Sequence, residues 1–295
     1  MGKLDGKVAV VTGSSRGLGL AIAKAFAEQG AAVVISSRTS LAVDQAVAGL
    51  KLSGFQAVGM ACDTANPDQV QALADLAIST FGRLDIWVNN AGTGAPYGPS
   101  FSISSERFTR VIQTNILGVY NGSRTAMKYF VAQKSGKLIN LIGRGAEKPV
   151  PFQNAYASSK MWVRSFSKSL AKEYASSGAE VFIFNPGLVL TDMLTDVEAI
   201  EGYGESMSAL NTIIRMWGNQ PEVPAQKAVW LASSATDGKT GLEVSVLTPG
   251  LLVTGAVREF GRRLMRLPDP MKDITVTDIP AVVPVSITSQ PLNRR

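Results

Sequence analysis

A glycine-rich turn near the N-terminus constrains this chain more than any other feature. Lys7 to Thr12 reads KVAVVT, a short β-branched run, and Thr12-Gly13-Ser14-Ser15-Arg16-Gly17-Leu18-Gly19 follows, leading into a helical pattern that ends near Gln29. Glycines permit positive φ and let the backbone approach a pyrophosphate, whose charge the N-terminus of the next helix stabilises. A strand, such a turn and a helix in that order point to dinucleotide binding.

The remainder of the chain supplies the sheet that such a turn requires. Strand patterns recur at Ala32–Ser36, Ala57–Ala61, Leu84–Val88, Lys137–Ile142, Val181–Asn185 and Glu243–Leu247. Helical patterns separate them at about Leu41–Leu52, Asp68–Phe81, Glu106–Lys134, Tyr156–Ser176 and Ala225–Ser233, the third of these broken at most by Gly118 and Gly122. Short apolar strands alternating with helices predict an α/β fold, a doubly wound Rossmann-like parallel sheet in one domain. Ligands bind such sheets at the carboxyl ends of the strands. We place that domain at 1–250 and an amphipathic helix with a proline-punctuated tail at 251–295.

Composition narrows the chemistry. The 295 residues contain no histidine and one cysteine, Cys62. This excludes a Ser-His-Asp triad, a histidine general base and His- or thiolate-built zinc sites, so no metal is expected. A lone cysteine and a short polar start before Val8 predict a cytoplasmic protein. No apolar run reaches the roughly 18 residues that span a bilayer. The net charge of +6 comes without a basic block interleaved with aromatics, which argues against nucleic acid.

Cofactor choice is written after the second strand. NAD-preferring sites place an acid there for the ribose 2′-hydroxyl, whereas this chain has Ser36-Ser37-Arg38 and no carboxylate before Asp44. Arg38, with Arg16 in the turn, suits a 2′-phosphate, so NADP is predicted; surface solvation is the plainer role for both arginines.

These residues belong to a wider pattern. From Lys7 to about Leu247 the chain resembles the short-chain dehydrogenase/reductase family. It carries Thr12-Gly13-xxx-Gly17-x-Gly19, Asp63, Asn89-Asn90-Ala91-Gly92, Asn115, Tyr156-xxx-Lys160 and Asn185-Pro186-Gly187 leading to Thr191. The resemblance implies an oxidoreductase in which Tyr156 exchanges the proton and Lys160 binds the nicotinamide ribose. Asn115 would hold a relay water. It also implies cofactor contacts from Gly13, Ser15, Arg16, Gly17, Leu18, Gly19, Arg38, Asp63, Asn90, Ala91, Gly92, Pro186, Gly187, Val189 and Thr191, and a homodimer or homotetramer built partly through the helices at 106–134 and 156–176. Independently of it, Tyr156 and Lys160 share one helical face, and an ammonium beside a phenol lowers the phenol pKa. Asp63 and Thr191 serve equally well as caps.

One position departs from that family. Thirteen residues before the tyrosine, where its members usually have a serine that polarises the substrate carbonyl, stands Gly143, and no Ser or Thr occurs between Gly136 and Ala157. Loss of such a donor costs roughly 100- to 1,000-fold. Arg144, a substrate that needs no donor (a protonated imine, for example), or room for a bulky substrate would each account for the change. Between Thr191 and Gln220 a lid is expected, with Met207, Leu210, Ile214 and Trp217 on one helical face. Pro96, Tyr97, Pro149 and Phe152 are candidates for the opposite wall.

A last helix at Gly255–Leu267 sets Val257, Phe260, Leu264 and Leu267 against Arg258, Arg262, Arg263 and Arg266. It is expected to pack on its own protein or a sister subunit, with peripheral membrane contact the alternative. The reading is an NADP(H)-dependent oxidoreductase acting on a carbonyl, alcohol or imine of a fairly apolar small metabolite. The alternatives are a non-catalytic NADP-binding or sensing protein and a non-redox enzyme on the same fold.

Overall fold

In the computed structural model, which describes residues 2–265 and 274–282, the alternation becomes β1 (Val8–Val11), α1 (Gly17–Glu28), β2 (Ala32–Ser37), α2 (Ser40–Leu52), β3 (Ala57–Ala61), α3 (Pro67–Phe81), β4 (Ile86–Asn89), α4 (Ser105–Ile112), α5 (Gly118–Gln133), β5 (Gly136–Leu141), α6 (Asn154–Glu173) and β6 (Ala179–Asn185). There follow β7 (Leu188–Val189), α7 (Asp192–Thr195), β8 (Asp196–Ile200), α8 (Ser208–Trp217), β9 (Gly218–Asn219), α9 (Glu222–Ala232), β10 (Glu243–Ser245), α10 (Pro249–Leu264) and β11 (Thr275–Ile279). Seven strands form one parallel sheet in the order β10-β6-β5-β4-β1-β2-β3. This is the expected doubly wound fold.

Successive residues of a strand face opposite sides of its sheet, and β1 shows what that achieves here. Ala9 and Val11 enter the core layer under α1, α2 and α9, with Ile22, Phe26, Val43 and Val229. Val8 and Val10 enter the layer under α3, α5 and α6, with Leu73, Phe130 and Leu170. The chain goes from β1 outward through β2 and β3, then returns to β4 on β1's other side. That reversal opens a crevice beyond the carboxyl ends of β1 and β4, the place where doubly wound sheets take ligands.

Three features differ from the sequence expectation. The helix at 106–134 is interrupted at Gln113–Leu117 by a π-helical turn, and not at Gly118 or Gly122, which lie inside α5. Both glycines admit close neighbours instead: a side-chain carbon at Gly118 would collide with Thr64, and one at Gly122 with Asn89. The last helix begins at Pro249, six residues earlier than expected, because Thr248 Oγ1 accepts from Leu251 N (3.3 Å) and Pro249 occupies the first turn. Its expected end at Arg266 and Leu267 lies outside the described residues, as do Pro268, Pro270, Pro284 and Pro291. Finally, β11 from the tail pairs in parallel with β8 of the lid across five residues, a pairing the sequence gave no reason to expect.

Among the described residues no helix is long and apolar enough to cross a membrane.

Candidate active site

The glycine-rich turn is held from beneath by β4. Thr12 Oγ1 accepts from Asn90 N and Ala91 N, both at 3.1 Å, and Asn90 Nδ2 donates to Thr12 O (2.9 Å) and Gly13 O (3.0 Å). Gly13 has φ +64°, and a side-chain carbon on it would lie 2.8 Å from Ala91 Cα. At Gly19 such a carbon would overlap Gly13 O and reach 2.5 Å from Asn90 Nδ2. Only glycine fits at either position. Asn90, expected to contact the cofactor, therefore spends its amide on the turn's own carbonyls. The helix α1 starts without a side-chain cap, so its first amides remain available to an anion. Bare backbone, an uncapped helix start and a glycine cradle fit a dinucleotide pyrophosphate.

The arginines divide. Arg38 is exposed after β2 with no ion pair among the described residues, open to a 2′-phosphate. Arg16 pairs instead with Asp192, the first residue of α7, in an exposed contact. Ser15 and Leu18 are half-buried, and Leu18 leans on the core. Asp63 shapes its own turn, accepting from Ala65 N at 3.0 Å. Pro186 is buried, and Gly187 N donates to Asn185 Oδ1 (3.1 Å). Val189 lies in β7, which pairs with β9 to close the base of the lid. Thr191 caps α7 through its carbonyl, and its methyl lies against Gly17.

Beside this cradle, α6 brings its residues to the end of β5. Lys160 Nζ donates to Leu141 O (3.1 Å) and lies 5.6 Å from the centre of the Tyr156 ring. Asn115 sits in the π-helical turn, where Oδ1 accepts from Thr93 N (2.9 Å) and Nδ2 donates to Thr93 O and Ser159 Oγ, both at 3.0 Å. Ser159 Oγ donates to Tyr156 O (2.7 Å). Gly92 passes between these groups; a side-chain carbon on it would lie 3.6 Å from Asn115 Oδ1 and 3.8 Å from Lys160 Nζ. Tyr156, Lys160, Asn115 and Gly92 thus converge in the crevice next to the glycine turn.

Residues 7–202 match the short chain dehydrogenase family. The chain belongs to that family. It is 37% identical over 246 residues to 3beta-hydroxysteroid dehydrogenase 1 of Eggerthella lenta, covering 82% of this chain and 93% of that one. It is 31% identical over 273 residues to a probable chloroplastic chlorophyll(ide) b reductase of Arabidopsis thaliana, covering 86% of this chain but 53% of that longer protein, so it spans about half of it. Among solved structures, a gluconate 5-dehydrogenase of Burkholderia cenocepacia in complex with NADP and tartrate superposes with TM-score 0.74 at 28% identity (85% and 96% of the two chains). A 3-ketoacyl-(acyl-carrier-protein) reductase of Brucella melitensis complexed with NADH gives 0.73 at 31% (82% and 97%). These relatives and neighbours are short-chain oxidoreductases, and the two solved structures hold nicotinamide cofactors of both kinds.

Within this short-chain dehydrogenase, burial sets the electrostatics of the pair. It pushes the Tyr156 phenol up to about 12 and the Lys160 ammonium down to about 8. The lowering of Tyr156 expected from its neighbour is not found: desolvation by burial raises the phenol, and Lys160 Nζ is turned to the Leu141 carbonyl. Gly143 proves to be the phenol's neighbour. A side-chain carbon there would stand 2.7 Å from Tyr156 Oη, so the ring's hydroxyl takes the space that any side chain at 143 would need. Arg144 is exposed and makes no hydrogen bond to the tyrosine.

On the substrate side, the Phe152 ring packs at a tilt between those of Tyr97 (5.5 Å) and Tyr203 (5.3 Å), joining the loop after β4, the loop before α6 and the lid. Phe152 has φ +64°, a conformation costly for a bulky residue. Tyr97 further bonds to the backbone of β8 on both sides, and Arg107 of α4 pairs with Glu198 of β8. Met207 and Ile214 are buried in the lid's own packing.

Sequence reasoning missed two supports. Asn89 Nδ2 donates to Asn140 Oδ1 (2.8 Å) and Ser123 Oγ (3.1 Å), while Asn140 Nδ2 donates to Ser167 Oγ (2.9 Å). This buried network fixes the ends of β4 and β5 against α5 and α6. The signal was available: two asparagines at the ends of apolar strands, where an unpaired amide is expensive.

Proposed function

We propose that the protein is an NADP(H)-dependent oxidoreductase that moves a hydride to or from a carbonyl or alcohol, or an imine, of a fairly apolar small metabolite, with Tyr156 as acid and base. The observation that carries this reading is the Tyr156 phenol, backed by Lys160 and facing bare Gly143, in the crevice beside the glycine cradle. Arg38 is our choice for the 2′-phosphate, with Gly13, Ser15, Gly17, Leu18 and Gly19 around the pyrophosphate and Arg16 shared between phosphate and Asp192. Ala91, Gly92, Pro186, Gly187, Val189 and Thr191 line the remainder of the cofactor path. A nicotinamide bound there supplies or accepts the hydride.

The residues would divide the remaining work. At neutral pH Tyr156 holds its proton and Lys160 is charged, so Tyr156 donates to the carbonyl oxygen, or to the nitrogen of an imine not already protonated, which takes up the π electron pair as the hydride bonds to carbon. Lys160 then stabilises the phenolate, and Asn115, clamped to Thr93 and Ser159, keeps its place in the relay. No hydroxyl at position 143 polarises the substrate, which favours substrates already activated: a protonated imine, or a carbonyl with an internal hydrogen bond. The rings of Tyr97, Phe152 and Tyr203 favour an apolar, partly planar substrate. We also propose a homodimer or homotetramer built partly through the helical stretches 106–134 and 156–176, where Leu117, Tyr120 and Met161 are exposed.

The test is NADPH oxidation by purified protein against apolar ketones, enones and cyclic imines, with cofactor binding followed in parallel. Turnover with activated members and slow turnover with simple ketones is the expected pattern. Tight NADPH binding with no turnover would favour the second reading, a cofactor-binding sensor, for which the missing hydroxyl at Gly143 is the specific argument.

A further inference from the structure

After its last sheet strand the chain returns to the lid twice. Helix α10 packs on α8: Arg258 donates to Arg215 O (2.9 Å) and Met216 O (3.1 Å), and Trp217 Nε1 donates to Leu252 O (3.0 Å). Its apolar residues Val257, Phe260 and Leu264 are exposed, contrary to the expectation that this face covers the protein. The second return, residues 274–282, crosses the lid from end to end. Ile274 N donates to Asn211 Oδ1 on α8 (3.0 Å), and β11 pairs with β8. Glu201 N then donates to Ile279 O (3.0 Å), and Val282 N donates to Ser102 O (3.1 Å) in the loop before α4. Thr275-Val276-Thr277-Asp278-Ile279 is rich in β-branched residues, which favour a strand.

Strand β8 needs this partner. On its other edge it meets one residue, Tyr97, which donates from N to Glu198 O (2.8 Å) and accepts at O from Ile200 N (2.8 Å). A lone pairing of strands is marginal in water, whereas a third strand over an apolar face makes a stable unit; here Ala199 and Ile200 are buried beneath it. The same unit carries the aromatic wall. Tyr97 is its inner edge, Gly98 N donates to Phe152 O (3.0 Å), and Tyr203 N closes the turn after β8 by donating to Ile200 O (2.9 Å). Its packing leaves little slack: a side-chain carbon on Gly98 would lie 2.5 Å from Ile200 Cγ1, and one on Gly204 2.9 Å from Asp278 Oδ1. We propose that residues 274–282 are a positioning strap for the substrate. By closing the outer edge of β8 they hold Tyr97 and Tyr203 against Phe152, and so set how well an apolar ring is bound without touching the reacting atoms. The effect on substrate rests on the oxidoreductase reading above; the hold on β8 does not.

Two variants remove the strap: a chain ending at Met265, and the full chain with Thr277→Pro. In the β8–β11 register Thr277 and Ile279 lie level with Glu198 and Ile200, so their backbone groups face β8, and proline at 277 deletes one of the donors. A chain ending at Val282 keeps the strap and is the control. The first measurement is hydrogen exchange read residue by residue. The amides of Ile200 and Tyr203 bond to Tyr97 and within the turn, not to the strap, so loss of the strap alone does not expose them. Both should nevertheless exchange about tenfold faster or more in either variant, while amides of β1 and β4 keep their rates and report an intact domain. The second measurement is steady-state kinetics. KM for activated ketones carrying an aromatic or fused ring should rise about tenfold, with kcat for a small activated ketone and the NADPH dissociation constant unchanged. Unchanged exchange at Ile200 and Tyr203 in both variants, equal effects on small and ring substrates, or the same changes in the chain ending at Val282 would overturn the proposal. Absence of turnover with every substrate would overturn the oxidoreductase reading instead, and the exchange rates would then decide the strap by themselves.

Discussion

The crevice and the lid are built on opposite principles. In the crevice three functional side chains are fixed by short bonds to the backbone or to neighbouring side chains: Asn90 by two carbonyls of the turn, Asn115 by Thr93 and Ser159, Lys160 by Leu141. The lid is fixed by pairings between segments far apart in the chain. These are the exposed Arg16–Asp192 pair, Arg107–Glu198, the aromatic trio and the β8–β11 ribbon. A buried bond broken on one side leaves an unsatisfied group and costs about 1–3 kcal/mol; an exposed ion pair is worth about 0–1 kcal/mol. The crevice is therefore pre-organised and the lid adjustable, as a site with fixed chemistry and a varied substrate requires.

Substitutions on the two sides should differ accordingly. The largest effect is expected from Tyr156→Phe, a fall in kcat of about 10²- to 10⁴-fold with NADPH affinity unchanged; a retained rate would break the assignment of the proton donor. Arg38→Glu should shift the preference from NADPH towards NADH by about tenfold or more, read as a ratio of dissociation constants. Asn90→Ala should lower stability by about 1–3 kcal/mol, seen in denaturant melts, and weaken NADPH binding as the turn loosens. Reduction should decline as pH rises through about 8, because Lys160 loses its proton there and with it the charge that stabilises the phenolate. Lys160→Arg should slow the reaction yet flatten that limb of the profile, since an arginine stays charged. Asp192→Asn should have the smallest effect, a change of less than about fivefold in KM for substrate, and a larger one would move the lid towards the rigid class.

The contrast also explains what could be read from the amino-acid sequence. The cradle, the alternation of strands and helices, and the Tyr156–Lys160 spacing are local patterns, and each lies where its pattern places it. The π-helical turn at Asn115 follows from tertiary bonds to Thr93 and Ser159 and leaves the helical periodicity almost untouched. Asp196–Ile200 becomes a strand only because Thr275–Ile279 lies beside it, and no periodicity reports a partner nearly eighty residues away. Phe152 adopts a conformation its residue type disfavours, held by Tyr97 and Tyr203. For α10 the apolar stripe was visible, but its seat on α8 rests on long-range bonds, Arg258 to the carbonyls of Arg215 and Met216 and Trp217 Nε1 to Leu252 O.

The most direct test of the central claim uses NADPH deuterated at the transferring position of the nicotinamide, with mass spectrometry of the product from an activated apolar ketone or imine. The account predicts that the product carries the deuterium with wild-type protein and that almost none forms from the ketone with Tyr156→Phe, although both bind the cofactor. Product that carries no deuterium, or no product from any activated carbonyl or imine despite tight NADPH binding, would contradict it.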